Sequence, residues 1–143
     1  MKIIPMLAVV TAVAFPAVAA SAPIEPHTLV IALTGDAEGP DLGDKDGSGR
    51  AELRIDPEAG QFCYVLTVAD IEPARLSHIH RSPAGQAGGP IVVQLEAPTD
   101  GSSEGCQAIA PELAQDLLTN GAAYYVNVHN AEHPGGAVRG QLG

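Results

Sequence analysis

At 143 residues the chain has a one-domain length, and 7 Lys and Arg against 17 Asp and Glu leave a formal charge of −10. So acidic a surface excludes nucleic acid and anionic membrane as partners; it suits solubility, a small cation or a basic protein partner. Trp is absent and aromatic residues make up only 3%, which excludes a stacking platform for bases or sugars.

The chain opens on Met1-Lys2, an apolar run over 3–14 and then Ala17-Val18-Ala19, the small-x-small pattern read by signal peptidase. The run is shorter than the about 20 residues a bilayer span needs. Residues 1–20 are predicted as a cleaved signal peptide and 21–143 as the mature domain. Cleavage leaves no membrane anchor, and the protein is expected to be periplasmic or extracellular. In such an oxidising compartment Cys63 and Cys106 are expected to pair as a disulfide, closing the loop before the helix onto the sheet.

Short strands follow in order. Residues 28–34 put Leu29, Ile31 and Leu33 on one face, and 51–55 alternate with Ala51, Leu53 and Ile55 inward. Residues 61–69 are nearly all apolar, as in a strand buried on both faces. Residues 76–81, 91–95, 124–129 and 137–142 complete the set, with turn signals at 36–49, 57–60, 82–90, 99–105 and 133–136. One short helix is predicted from Pro111 at a first helical position, Glu112 in the first turn, Leu113, Leu117 and Leu118 on one face, and the stop Asn120-Gly121. The fold class is mostly β: a Greek-key β-sandwich or barrel of about seven to eight strands with one short helix.

The residues fit for chemistry are His78, His80 and His129. Residues two apart on a strand share a face, so with Ile79 inward His78 and His80 point out together. With Val126 and Val128 inward, His129 also points out, beside Tyr125 and Asn127. Three imidazoles suit copper or zinc among other transition metals, with a fourth position open to His133, a carboxylate or water. Keeping the same parity across the turn at 133–135 places His129 opposite Arg139 and gives Gly135 the left-handed position. Arg139 is then a candidate anion-binding residue beside the metal. Asp44-Lys45-Asp46-Gly47-Ser48-Gly49 has the opening of a calcium loop but Ile55 where its bidentate Glu belongs, so it reads as a polar turn. No catalytic set, phosphate loop or nucleophile elbow is visible, so no catalytic residue is assigned.

Leu76-Ser77-His78-Ile79-His80-Arg81, Gly89-Pro90-Ile91-Val92-Val93, the strand 124–129 and the ending Pro134-Gly135-Gly136-Ala137-Val138-Arg139-Gly140-Gln141-Leu142 resemble the CHRD (chordin-type) domain, found also in exported microbial proteins. The resemblance runs from about Leu29 to Leu142 and implies an extracellular β domain, acting as a non-catalytic binding or structural module. A weaker resemblance is to copper/zinc superoxide dismutase, through the His-x-His strand, a later strand His, a disulfide and a Greek-key barrel. It implies a redox role for His78, His80 and His129, although the bridging histidine and the zinc-loop set of that family have no counterpart here.

Overall fold

The computed structural model describes residues 26–143 except residue 87. The predicted signal peptide, residues 1–20, lies outside the described residues. Eight antiparallel strands form one sheet: β1 (His27–Thr34), β2 (Ser48–Asp56), β3 (Gln61–Ala69), β4 (Leu76–Arg81), β5 (Ile91–Leu95), β6 (Ser102–Ala108), β7 (Tyr124–His129) and β8 (Val138–Gln141), with helix α1 at Pro111–Thr119. Their order is β5-β4-β7-β8-β1-β2-β3-β6. Among the described residues no helix is long and apolar enough to cross a membrane.

The alternation in the first three strands sets their register. Leu29 pairs with Leu53 and Leu53 with Tyr64; Ile31 pairs with Ala51 and Ala51 with Leu66. Each row therefore puts its apolar side chains on one face, and those rows line the core with Phe62, Ile79, Val93, Val126, Val128 and Val138. β8 joins the two halves by pairing with β1 at Thr34↔Arg139. Gly140 permits that junction, since a Cβ there would stand 2.3 Å from the Ala32 carbonyl oxygen. The sheet curls until its two edges meet through side chains. Gln107 donates to Gln94 O at 2.7 Å, Ser103 Oγ to Glu96 O at 2.7 Å, and Glu96 N–H to Tyr64 Oη at 2.8 Å. The result is a nearly closed barrel. Helix α1 buries Ala114 and Leu117 in the core, and Tyr124 Oη donates to the Asp116 carboxylate on it.

Five expectations need correction. Residues 102–108 were expected within a turn and loop yet form β6, because backbone pairing with β3 holds them without apolar alternation. Cys106 therefore lies inside an edge strand, directly across from Cys63, and the bridge joins neighbouring strands instead of tying down a loop before the helix. β3 buries Phe62, Tyr64 and Leu66 but leaves Val65 exposed, so it is covered on one face only. The β7–β8 register is shifted by two: Asn127 faces Arg139 and Val128 faces Val138. The turn is longer than three residues because Asn130 Oδ1 accepts the His133 N–H at 2.7 Å and Gly136 N–H bonds His133 O at 3.1 Å. The positive φ accordingly falls on Gly136, at 140°, and not on Gly135. A shift of two preserves parity, so the faces stay as expected.

Candidate metal centre

β7 is buried along its whole length. Tyr124, Val126 and Val128 face the core. Tyr125, Asn127 and His129 face outward but lie under loops. Those loops are fastened from below: Gln141 Nε2 donates to Ser82 O at 2.9 Å, Asp44 N–H donates to Ala137 O at 2.9 Å, and His133 Nδ1 lies 3.1 Å from Leu42 O. β4 pairs with β7 so that His78 faces Asn127, His80 faces Tyr125 and Leu76 faces His129. His129 is thus the diagonal neighbour of His78 on the same face. A bulge between Ile79 and His80 shifts the β4–β5 register at this point.

The structure brings the three histidines together. Ring centroids lie 5.0 Å apart for His78–His129, 5.4 Å for His78–His80 and 6.4 Å for His80–His129. One nitrogen from each falls within 4.8 Å of the others. Ligands of a tetrahedral ion with bonds of 2.0–2.1 Å sit about 3.4 Å apart, so the rings would draw in by at most about 1.4 Å. His133 does not join them; its ring is held at Leu42 O, with Nε2 3.8 Å from the Asp44 carboxylate.

Two ring orientations are set by carbonyls. His80 Nδ1 lies 2.9 Å from Gly89 O, and His129 Nδ1 lies 3.1 Å from Pro134 O. A neutral ring that donates Nδ1–H to a carbonyl presents Nε2 as a lone pair, the form a metal takes. His129 Nε2 also lies 3.0 Å from the Asn127 side-chain oxygen. A neutral ring has one proton for these two acceptors; donation to Pro134 leaves Nε2 as a lone pair facing the Asn127 amide. His80 Nε2 and His78 Nδ1 are buried with no hydrogen-bond partner among the described residues. Burial, then the charges of His129 and His80, push His78 down to about 4. Burial also lowers His129. Both rings are therefore neutral at pH 7. Two neutral imidazoles and His80, with orphaned buried nitrogens on His78 and His80, fit a borderline-soft divalent cation or cuprous ion.

Arg139, on the same outer face, is only 3% exposed. It donates from Nη1 to Gln86 O at 2.7 Å and from Nη2 to Pro83 O at 3.3 Å and Gln141 Oε1 at 3.2 Å. Its guanidinium lies over Tyr125, whose ring stacks on His80 at 5.0 Å and 10°. The histidine strand and the Arg139 clamp are the segments on which the sequence resemblance rested, and a family profile described as the CHRD domain matches residues 29–142. The chain belongs to the CHRD-domain family. Neither the curated proteins nor the solved structures compared with it gave a match. Membership suggests a binding or structural module, and the disulfide is consistent with an oxidising compartment.

In this CHRD domain the closing motif has a physical content. Gly136 passes over the Glu38 carboxylate, Arg139 clamps the loop after β4, and Gly140 lets β8 reach β1. Glu38 is the residue that sequence reasoning missed. It is 9% exposed, its Oε1 has no partner among the described residues, and burial raises it to about 7 against the opposing pull of Arg139 and a hydrogen bond to Asn127. It sits in a short 3-10 turn at Asp36–Glu38, within a Gly-rich segment that carries no periodic signal.

Proposed function

We propose that this CHRD domain is an exported, non-catalytic binding module whose ligand is a copper or zinc ion held by His78, His80 and His129. The single observation behind this reading is the set of three ring nitrogens within 4.8 Å of one another, in a cluster where His78 and His80 each carry a buried nitrogen with no partner among the described residues. A bound cation would satisfy both orphans, and His78 and His129, kept neutral by burial, need lose no charge to accept it. The carbonyl contacts at Gly89 and Pro134 would hold His80 and His129 in the ligating tautomer.

The test is elemental analysis of protein purified from its exported compartment, followed by titration of metal-free protein with Cu(II) and Zn(II). About one ion per chain is expected. His80→Ala is expected to weaken uptake by about a hundredfold or more while leaving the fold, since His80 is half-exposed. Uptake unchanged in His80→Ala removes the site.

A second reading is a redox protein of superoxide-dismutase type. It is favoured by the cationic Arg139 lying one ring beyond His80, through Tyr125. Reproducible turnover of superoxide by the metal-loaded protein would move the assignment from binding module to enzyme.

A further inference from the structure

The Cys63–Cys106 bridge lies on the outer face of the barrel. Phe62, Tyr64 and Leu66 point into the core, so Cys63 between them points out, and its partner Cys106 is exposed on the edge strand β6. Both cysteines line an open cavity of about 410 Å³ together with Glu52, Arg54, Val65 and Glu104. Arg54 stands in register with Cys63 on the neighbouring strand β2.

Exchange at a disulfide requires the attacking thiolate, the attacked sulfur and the leaving sulfur to lie in line. The bridge runs from β3 to β6. Past Cys106 the backbone ladder ends; Cys106, Gln107 and Ala108 are exposed there, and only side-chain bonds from Gln107 and Ser103 reach the other edge. Continued past Cys63, the line of the bridge crosses β2 at Arg54. Cys106 is the exposed member of the pair, and Cys63 has Arg54 directly across from it, with Glu52 and Glu104 on the same cavity wall.

We propose that the Cys63–Cys106 bridge is a thiol–disulfide exchange site, attacked at Cys106 Sγ by an external thiolate with Cys63 Sγ as the leaving group. The incoming thiolate forms a new S–S bond to Cys106, and the Cys63–Cys106 bond breaks with its electron pair on Cys63, beside Arg54. If the attacker is a dithiol, its second thiolate displaces Cys106. The dithiol is then oxidised to a disulfide and the protein reduced to two thiols. The fold permits this without opening, because β6 stays paired to β3 from Gln61↔Ala108 to Thr67↔Ser102 and bonded to the other edge through Ser103 and Gln107. This inference is independent of the metal site.

The experiment incubates the folded protein with reduced glutathione at several concentrations, traps thiols with N-ethylmaleimide and maps adducts by mass spectrometry. Glutathione is expected on Cys106 and maleimide on Cys63, at a rate proportional to glutathione thiolate. Arg54→Gln is expected to slow exchange about two- to fivefold, and Arg54→Lys to restore it. Dithiothreitol is expected to carry the same protein to two free thiols with native circular dichroism. A rate that levels off at the unfolding rate whatever the glutathione concentration overturns the proposal. So does a first adduct on Cys63, or an unchanged rate in Arg54→Gln.

Discussion

The guanidinium carbon of Arg139 lies 3.5 Å from the centroid of the Tyr125 ring. That contact ties the closing strand to the face that carries the histidines, since Tyr125 stacks in turn on His80. The planar fork of Arg139 reaches Gln86 O and Pro83 O together, which a lysine ammonium cannot do while covering the same ring. Arg139→Lys is expected to lower the unfolding free energy by about 1–3 kcal/mol. In a double-mutant cycle with Tyr125→Leu the two residues should couple by about 1 kcal/mol, read from urea unfolding of metal-free protein. Additive losses would mean that the stack is proximity without energy.

Glu38 makes the stability of the metal-free protein depend on pH in a definite direction. Burial raises its carboxyl to about 7 from an ordinary 4.5, against Arg139 and Asn127, which pull it down. The unfolded chain releases this proton near 4.5 and the folded chain near 7. Between those values the folded state holds more protons, so the Glu38 contribution falls as pH rises. Glu38→Gln keeps the shape and removes the proton. Its stability relative to the parent is expected to be greater at pH 8 than at pH 4, by roughly 1–3 kcal/mol. Thermal unfolding of both proteins across this range checks it, and a difference independent of pH would place the Glu38 proton elsewhere.

Gly136 is the complement of that carboxylate. A Cβ there would stand 2.1 Å from Glu38 Oε1, on a backbone whose φ of 140° side chains rarely adopt. Gly136→Ala is expected to destabilise by about 2–4 kcal/mol, from overlap and backbone conformation together. Adding Glu38→Ala should recover the overlap part and leave the conformational part. Chemical denaturation of the two single variants and the double variant separates the two costs.

The faces of β4 and β7 were legible because Ile79, Val126 and Val128 alternate with polar residues, and parity alone then sends His78, His80 and His129 outward together. Parity also survived the register error, which arose because Asn130 and His133 fold the turn locally, a hydrogen-bonding choice with no hydrophobic signature. β6 was not legible: Ser102-Ser103-Glu104-Gly105-Cys106-Gln107-Ala108 offers no apolar row, and its strand form rests on pairing with β3. Glu38 was hidden for a related reason. Its burial comes from long-range packing of Gly136 and Arg139 over a turn that, taken alone, reads as solvent-exposed.

The bridge should act mainly through the unfolded chain. Cys63 and Cys106 are 43 residues apart in sequence, and closing a loop of that length lowers the entropy of the unfolded state by about 4 kcal/mol in the chain-entropy model. In the folded state the same two strands are already paired on both sides of the bridge, from Gln61↔Ala108 to Thr67↔Ser102. Replacing both cysteines by alanine should therefore leave the barrel and the histidine cluster in place while lowering unfolding free energy by up to about 4 kcal/mol. It should also raise the denaturant m-value, because the freed unfolded chain exposes more surface. Urea unfolding followed by circular dichroism, with a zinc titration of the folded variant, measures all three quantities. A loss of stability with an unchanged m-value would locate the effect in the folded state instead, in contacts of the sulfurs on the outer face of β3 and β6.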